Sequence, residues 1–228
     1  MPVFQLSEQL LFPPPHLAEP DGLLAVGGDL SPQRLLLAYS SGIFPWFNEG
    51  DPILWWSPDP RFIIEPTAIH VSRSLDKVIR RGPFELTVDR AFDDVMLACG
   101  SDRRDSAGTW ITDEMLDAYG QLHRMGFAHS VECWQGKELV GGLYGVCLGR
   151  CFFGESMFHR RSNASKLALV FLARSLASHD FEMIDCQLPT SHLASLGGQA
   201  ISRVEYLNRL RRAGVMPTLK PESAPFPL

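Results

Sequence analysis

In the stretch FEMIDCQ an aspartate and a glutamine, Asp185 and Gln187, stand two residues apart. On a β-strand that spacing puts both side chains on one face and Ile184 and Cys186 on the other. A carboxylate beside an amide could hold a nucleophilic amine and accept or relay its proton. An α-amine, with an ordinary pKa of about 7.7 to 8.0, needs only modest help to lose one. A strand-end aspartate that caps the next turn is the plainer alternative. Glu155, in FFGES, is a second carboxylate, able to orient an amine, attract a cation or sit in a surface salt bridge. GESMF approaches the nucleophile elbow G-x-S-x-G, but Phe158 stands where the last glycine is required, which disfavours Ser156 as a nucleophile and a Ser156–His159–Asp185 triad. The chain has no G-x-x-x-x-G-K-[ST] phosphate loop and no G-x-G-x-x-G turn after a strand. Its five cysteines, Cys99, Cys133, Cys147, Cys151 and Cys186, form no CxxC pair, and its seven histidines form no HExxH. Buried free thiols are expected, with no disulfide framework, no metal and no cofactor.

These groups must be carried by a real core. The chain has 228 residues, 45% of them hydrophobic, enough for one moderately large domain or one with a smaller companion. The opening MPVFQLSEQLLFPPP lacks a basic region followed by an unbroken apolar stretch, and no window nears the roughly 18 apolar residues of a membrane helix. The expectation is a soluble cytoplasmic protein. A net charge of -5 argues against holding long nucleic acid by bulk electrostatics. Local contacts remain open through Arg80–Arg81, Arg103–Arg104, Arg160–Arg161 with Lys166, and the run Arg203, Arg209, Arg211 and Arg212, each of which could equally be a solvated face.

The first sixty or so residues are rich in Pro, Gly and aromatics, which reads as turns, short strands and one helix, with Ser31 as N-cap, Pro32 at the first position and a stop at Gly42. A small N-terminal domain over 1–65 follows. Residues 66–228 then alternate: helix over 72–81, extended chain over 84–88, helix over 91–98, and a helix capped by Thr112 and ending near Gly126. HSVECW, ELVGGLYGVCL and CFFGESMF read as a three-strand meander. A helix over 163–178, the strand FEMIDCQ and a helix over 203–213 complete the pattern. The fold class is α+β, with a mixed, largely antiparallel sheet in the order of acetyltransferase-like (GNAT-like) folds. In such folds the ligand sits where two central strands splay, so the ends of CFFGESMF and FEMIDCQ should share one site.

GLLAVGGDLSPQRLLLAYSSGIFPWF with ILWWSPDPR, then GTWIT, then LVGGLYGV through FFGESMF and IDCQ together resemble the bacterial leucyl/phenylalanyl-tRNA–protein transferase family over about nine-tenths of the chain. The resemblance implies a monomeric aminoacyltransferase that moves Leu, Phe and less readily Met from aminoacyl-tRNA to proteins beginning with Arg or Lys, marking them for N-end rule degradation. An aminoacyl ester is already activated, so such an enzyme supplies positioning, a neutral amine and oxyanion stabilisation without ATP or metal. The resemblance assigns catalysis to Asp185 and Gln187, matches Glu155 to a motif position, and places Trp46 and Trp110 near the donor's 3′ end, where aromatic rings stack on unpaired bases. Trp55 and Trp56 are expected to pack the two domains together. Leu143, Phe152, Met157, Leu169 and Ile184 are candidates for the amino-acid pocket, although apolar strand residues are often plain core. The family usually has Met where Leu143 stands. An acyl-CoA N-acetyltransferase of the same fold is disfavoured because HRRSNASKLAL lacks the glycines of a pyrophosphate loop. A non-catalytic tRNA- or degron-binding module would not need Asp185, Glu155 and Gln187 at one site.

Overall fold

The computed structural model describes residues 3–104, 111–218 and 226–228, with the side chains of 102–104 outside the description. The N-terminal segment builds a four-stranded sheet from β1 (Phe4–Leu6), β2 (Leu23–Gly27), β3 (Phe44–Pro45) and β4 (Leu54–Trp56), in the order β1-β2-β4-β3. Helix α1 (Pro32–Ser40) starts where Ser31 accepts a hydrogen bond from the Arg34 N–H, with Pro32 in the first turn, as its sequence requires. It ends at Gly42, whose φ of 77° is left-handed and whose missing Cβ leaves room for Leu207, 2.7 Å from where that atom would lie.

The second sheet has seven strands. They are β5 (Arg61–Ile64), β6 (Glu85–Val88), β7 (Ala128–Gln135), β8 (Glu138–Leu148), β9 (Cys151–His159), β10 (Met183–Gln187) and β11 (Gln199–Ile201), ordered β11-β5-β10-β9-β8-β7-β6. The expected meander is β7-β8-β9, antiparallel throughout; β10 joins β9 in parallel and the remaining pairs are antiparallel. Residues 61–64 lie on the N-terminal side of the boundary expected near Pro66, yet β5 is a strand of this larger sheet. Helices α2 (Arg73–Arg81), α3 (Phe92–Arg104), α4 (Asp113–Arg124), α5 (Ala164–Ser178), α6 (Ser191–Ser195) and α7 (Arg203–Arg212) complete the fold. Ser72, Thr112 and Ser202 each accept a backbone N–H at the start of α2, α4 and α7, so three helix starts are set by local sequence.

Two apolar layers flank the sheet. On one side α5 packs Leu167, Leu169, Leu172 and Leu176 with Leu143, Phe152 and Ile184. On the other, α1, α3 and α4 bury Tyr39, Val95 and Tyr119 with Tyr144, Val146 and Phe153, in one cluster that also takes in the N-terminal sheet. Trp55 is fully buried against Phe12 and donates to the Gly27 carbonyl, while Trp56 lies beside Trp46 and donates to its carbonyl. Trp55, with Trp56 packed beside it, also belongs to the apolar cluster that holds Tyr39, Phe153 and Tyr206, and Tyr39 against Phe153 and Gly42 against Leu207 are among the contacts that join the N-terminal segment to the rest of the fold. The cysteines are free, and burial pushes the Cys133 and Cys147 thiols up to about 12. Among the described residues no helix is long and apolar enough to cross a membrane.

Candidate active site

The site forms where β9 and β10 part. Their parallel pairing runs through Ile184 opposite Phe152 and Asp185 opposite Phe153, and then β10 pairs onward only with β5, Gln187 opposite Phe62. On its other edge β9 is bulged: Tyr144 faces Ser156 and Gly145 faces Gly154, leaving Glu155 as the extra residue. Bulges re-aim side chains. This one needs Gly145, because a Cβ there would lie 2.1 Å from the Phe153 carbonyl oxygen.

A cavity of about 640 Å³ opens at this divergence, within the range of about 300–1,000 Å³ usual for small-molecule sites. Leu143, Phe152, Met157, Leu169 and Ile184 all line it, so the five apolar candidates share one wall. Trp46, 42% exposed, stands at the same cavity with Phe44 and Pro45. Glu155 and Gln187 also line it; Asp185 does not. Trp110 lies outside the described residues.

The expectation that Asp185 and Gln187 share a strand face is corrected by the backbone. The register shifts between them, and Gln187 has a left-handed φ of 57°. The Asp185 carboxylate causes this locally: its Oδ1 accepts the Gln187 N–H at 3.0 Å, closing a turn that breaks the alternation. Asp185 itself is fully buried. Arg61 grips it with two parallel hydrogen bonds, Nε to Oδ1 at 2.9 Å and Nη2 to Oδ2 at 2.7 Å, and the Tyr206 hydroxyl donates to Oδ2 at 2.8 Å. Gln187 is turned towards the cavity instead, and its Nε2 is buried without a hydrogen-bond partner, as are Ser156 Oγ and His192 Nε2 in the same lining. Buried unpaired polar atoms are rare in proteins, and three on one cavity mark where a ligand's polar groups would go.

Glu155 is held differently. The Tyr39 hydroxyl, from α1, donates to its Oε1 at 2.8 Å and the Tyr119 hydroxyl, from α4, donates to Oε2 at 3.1 Å, while the two hydroxyls also touch each other. Burial raises the Glu155 carboxyl to about 7 against the pull of both tyrosine hydrogen bonds, and the nearby Asp185 charge adds to the rise. Glu155 is therefore not the surface salt bridge that was one alternative. A carboxyl poised near neutrality can take a proton and give it back.

Sequence reading missed Arg61, Tyr39, Tyr119 and Tyr206. The signal was present for Arg61, a cation heading the apolar strand RFII, and for the tyrosines in LLLAYS and LDAYGQL, whose hydroxyls need partners once buried. Among the described residues, four members of the basic clusters stand in ion pairs. Arg209 pairs with Glu65 and Glu205, Arg212 with Glu182 and Glu205, Arg80 with Asp76, and Arg161 lies 3.8 Å from Glu138.

Residues 63–211 match the family described as leucyl/phenylalanyl-tRNA protein transferase, and residues 28–59 match its N-terminal domain. The leucyl/phenylalanyl-tRNA–protein transferase of Nitrosospira multiformis is 64% identical over 208 residues, 90% of each chain, and that of Syntrophotalea carbinolica is 57% identical over 228 residues, 100% of this chain and 99% of its own. A remote likeness among solved structures, 11% identity and a TM-score of 0.40 over 50% of this chain and 84% of the other, is to an aminoglycoside acetyltransferase from an uncultured soil metagenomic sample. The chain belongs to the leucyl/phenylalanyl-tRNA–protein transferase family and is an aminoacyltransferase.

Proposed function

We propose that this transferase moves Leu, Phe and, less readily, Met from aminoacyl-tRNA to the N-terminal amine of proteins that begin with Arg or Lys. One observation supports the chemistry above the rest: an apolar wall, an unpartnered amide N–H and a carboxyl titrating near neutrality face one cavity. Leu143, Phe152, Met157, Leu169 and Ile184 take the amino-acid side chain. Trp46, together with Trp110, stacks on the terminal adenosine.

Gln187 Nε2 donates to the ester carbonyl oxygen as it gains negative charge, and a donor fixed in advance costs nothing to reorganise during reaction. Glu155 receives the proton of the attacking amine. A C–N bond then forms, the bond between the acyl carbon and the ribose oxygen breaks, and the proton passes from Glu155 to the leaving oxygen. Asp185, behind the cavity, holds Gln187 in place and does not meet the amine. The alternative use of Glu155, as the anion that recognises an acceptor's cationic side chain, is less well served by a carboxyl with a pKa of about 7.

The experiment is incubation with labelled leucyl-tRNA and peptides starting with Arg, Lys, Gln or Met. The expected result is a new peptide bond on the N-terminal amine of the Arg and Lys peptides only. Equal labelling of all four overturns the acceptor assignment. Glu155→Gln should slow transfer to every accepted peptide alike; a loss confined to cationic acceptors would return Glu155 to recognition.

A further inference from the structure

Arg61 opens β5 and is buried, and its guanidinium makes four hydrogen bonds. Besides the two bonds to Asp185, Nη2 donates to the Tyr206 hydroxyl at 3.3 Å and Nη1 to the Gly42 carbonyl at 3.3 Å. The Phe44 ring lies 4.7 Å from the guanidinium carbon and the Tyr206 ring 4.5 Å. Three of these partners lead to the cavity. Phe44 is part of its wall, and Trp46 follows two residues later; Gly42 is the turn that begins that segment; Asp185 fixes the Gln187 backbone.

We propose that Arg61 is a positioning residue for aminoacyl transfer: through Asp185 it aims the Gln187 amide, and through Phe44 and Gly42 it fixes the segment carrying Trp46. The donor's platform and the group that meets its carbonyl thereby keep one spacing. Asp185 Oδ1 accepts from both Arg61 Nε and Gln187 N, so a shift of the carboxylate carries the left-handed turn with it. A guanidinium is a rigid planar fork that holds a carboxylate at two points and stacks on rings; a lysine supplies the charge but neither constraint. Misplacement of a reacting group by about 1 Å can cost about 10²-fold in rate.

This deepens the reading of Gln187 and rests on it. The test is a double-variant cycle, using an acceptor peptide on which the wild-type protein is active, so that the acceptor class plays no part. At saturating donor, Arg61→Lys should lower turnover by about 10- to 100-fold. Added to Gln187→Ala it should cost less than about threefold more, because a group acting through Gln187 has nothing left to act on. The donor KM should rise with Arg61→Lys in both backgrounds, reporting the Phe44–Trp46 arm. Losses that multiply, an unchanged turnover or an unchanged donor KM each overturn the proposal. Gln187→Ala transferring at the wild-type rate overturns the reading of Gln187 and this proposal with it. Should Arg61→Lys fail to fold, Tyr206→Phe, which keeps the ring and removes only the hydroxyl on Asp185 Oδ2, enters the same cycle under the turnover criterion alone, and losses that multiply again overturn the proposal.

Discussion

Asp185 and Glu155 stand on neighbouring strands and are enclosed in opposite ways. Asp185 meets a guanidinium in two-point contact and one phenol; Glu155 meets two phenols, and no ion pair is formed with it among the described residues. A phenol hydrogen-bonds a carboxylate without neutralising it, so burial governs Glu155 and lifts it to about 7. In the proposed function the same functional group serves as a fixed clamp where it has its own cation and as a proton carrier where it has only neutral donors.

Breaking the clamp should give the largest effect in the molecule. Arg61→Met or Asp185→Leu alone leaves a buried charge without its partner and should destabilise the fold by about 3–5 kcal/mol. The double variant, with two apolar side chains facing each other, should recover most of that. Urea unfolding of the three proteins measures it, and a single variant of wild-type stability would erase the distinction between the two carboxylates.

Glu155→Gln should act with the opposite sign. A folded-state pKa of about 7, above the ordinary 4.5, means that the folded protein keeps a proton the unfolded chain releases. Stability is then fully present below about pH 4.5 and falls as pH rises to about 7, by at most about 3 kcal/mol and by less because the cavity is open to solvent. The glutamine variant should lose that slope and unfold at higher urea than wild type at pH 8. Its turnover should be about 10²-fold lower and flat in pH, whereas wild-type turnover should climb through pH 7. A wild-type profile level from pH 5.5 to 8 would remove the proton role.

This contrast was only half legible in the sequence. The elements that carry the apolar wall could be read, because the meander HSVECW, ELVGGLYGVCL and CFFGESMF and the helix over 163–178 are local patterns, and Leu143, Met157 and Leu169 stand on them. The helix starts at Ser31, Ser72 and Thr112 were legible for the same reason. The placement of Asp185 was not, because its own side chain breaks the strand that the spacing argument assumed. Each carboxylate has a partner from far along the chain: Arg61 is 124 residues from Asp185, and Tyr39 is 116 from Glu155. Periodicity has no access to such contacts; only the packing of α1 onto the larger sheet and the pairing of β5 with β10 within it create them.

Trp46 offers a control that touches neither carboxylate. If it carries the terminal adenosine by stacking, Trp46→Ala should weaken donor binding by about 1–3 kcal/mol, read as a roughly 5- to 150-fold rise in donor KM. The pH midpoint of turnover near 7 should stay where it is. A moved midpoint would mean that the Phe44–Trp46 segment also sets the surroundings of Glu155, and the two enclosures would not be independent.

The smallest effect is expected at Leu143. In the β8–β9 register it faces Met157 across the strands, and both line the cavity two residues beyond Glu155. Leu143→Met conserves volume, and exchanges of that kind cost less than about 1.5 kcal/mol in stability. The longer, unbranched side chain alters the shape of the wall rather than its polarity, and a pocket distinguishes apolar side chains by only about 1–3 kcal/mol per methylene-sized difference. The ratio of leucyl to phenylalanyl transfer should therefore shift by less than about tenfold, with the pH profile and the urea midpoint unchanged. Competition between the two labelled donors in one tube reads that ratio directly. An unchanged ratio would assign Leu143 to the core beneath α5 rather than to donor choice, and a displaced pH profile would show that the apolar wall helps to set the burial that raises Glu155.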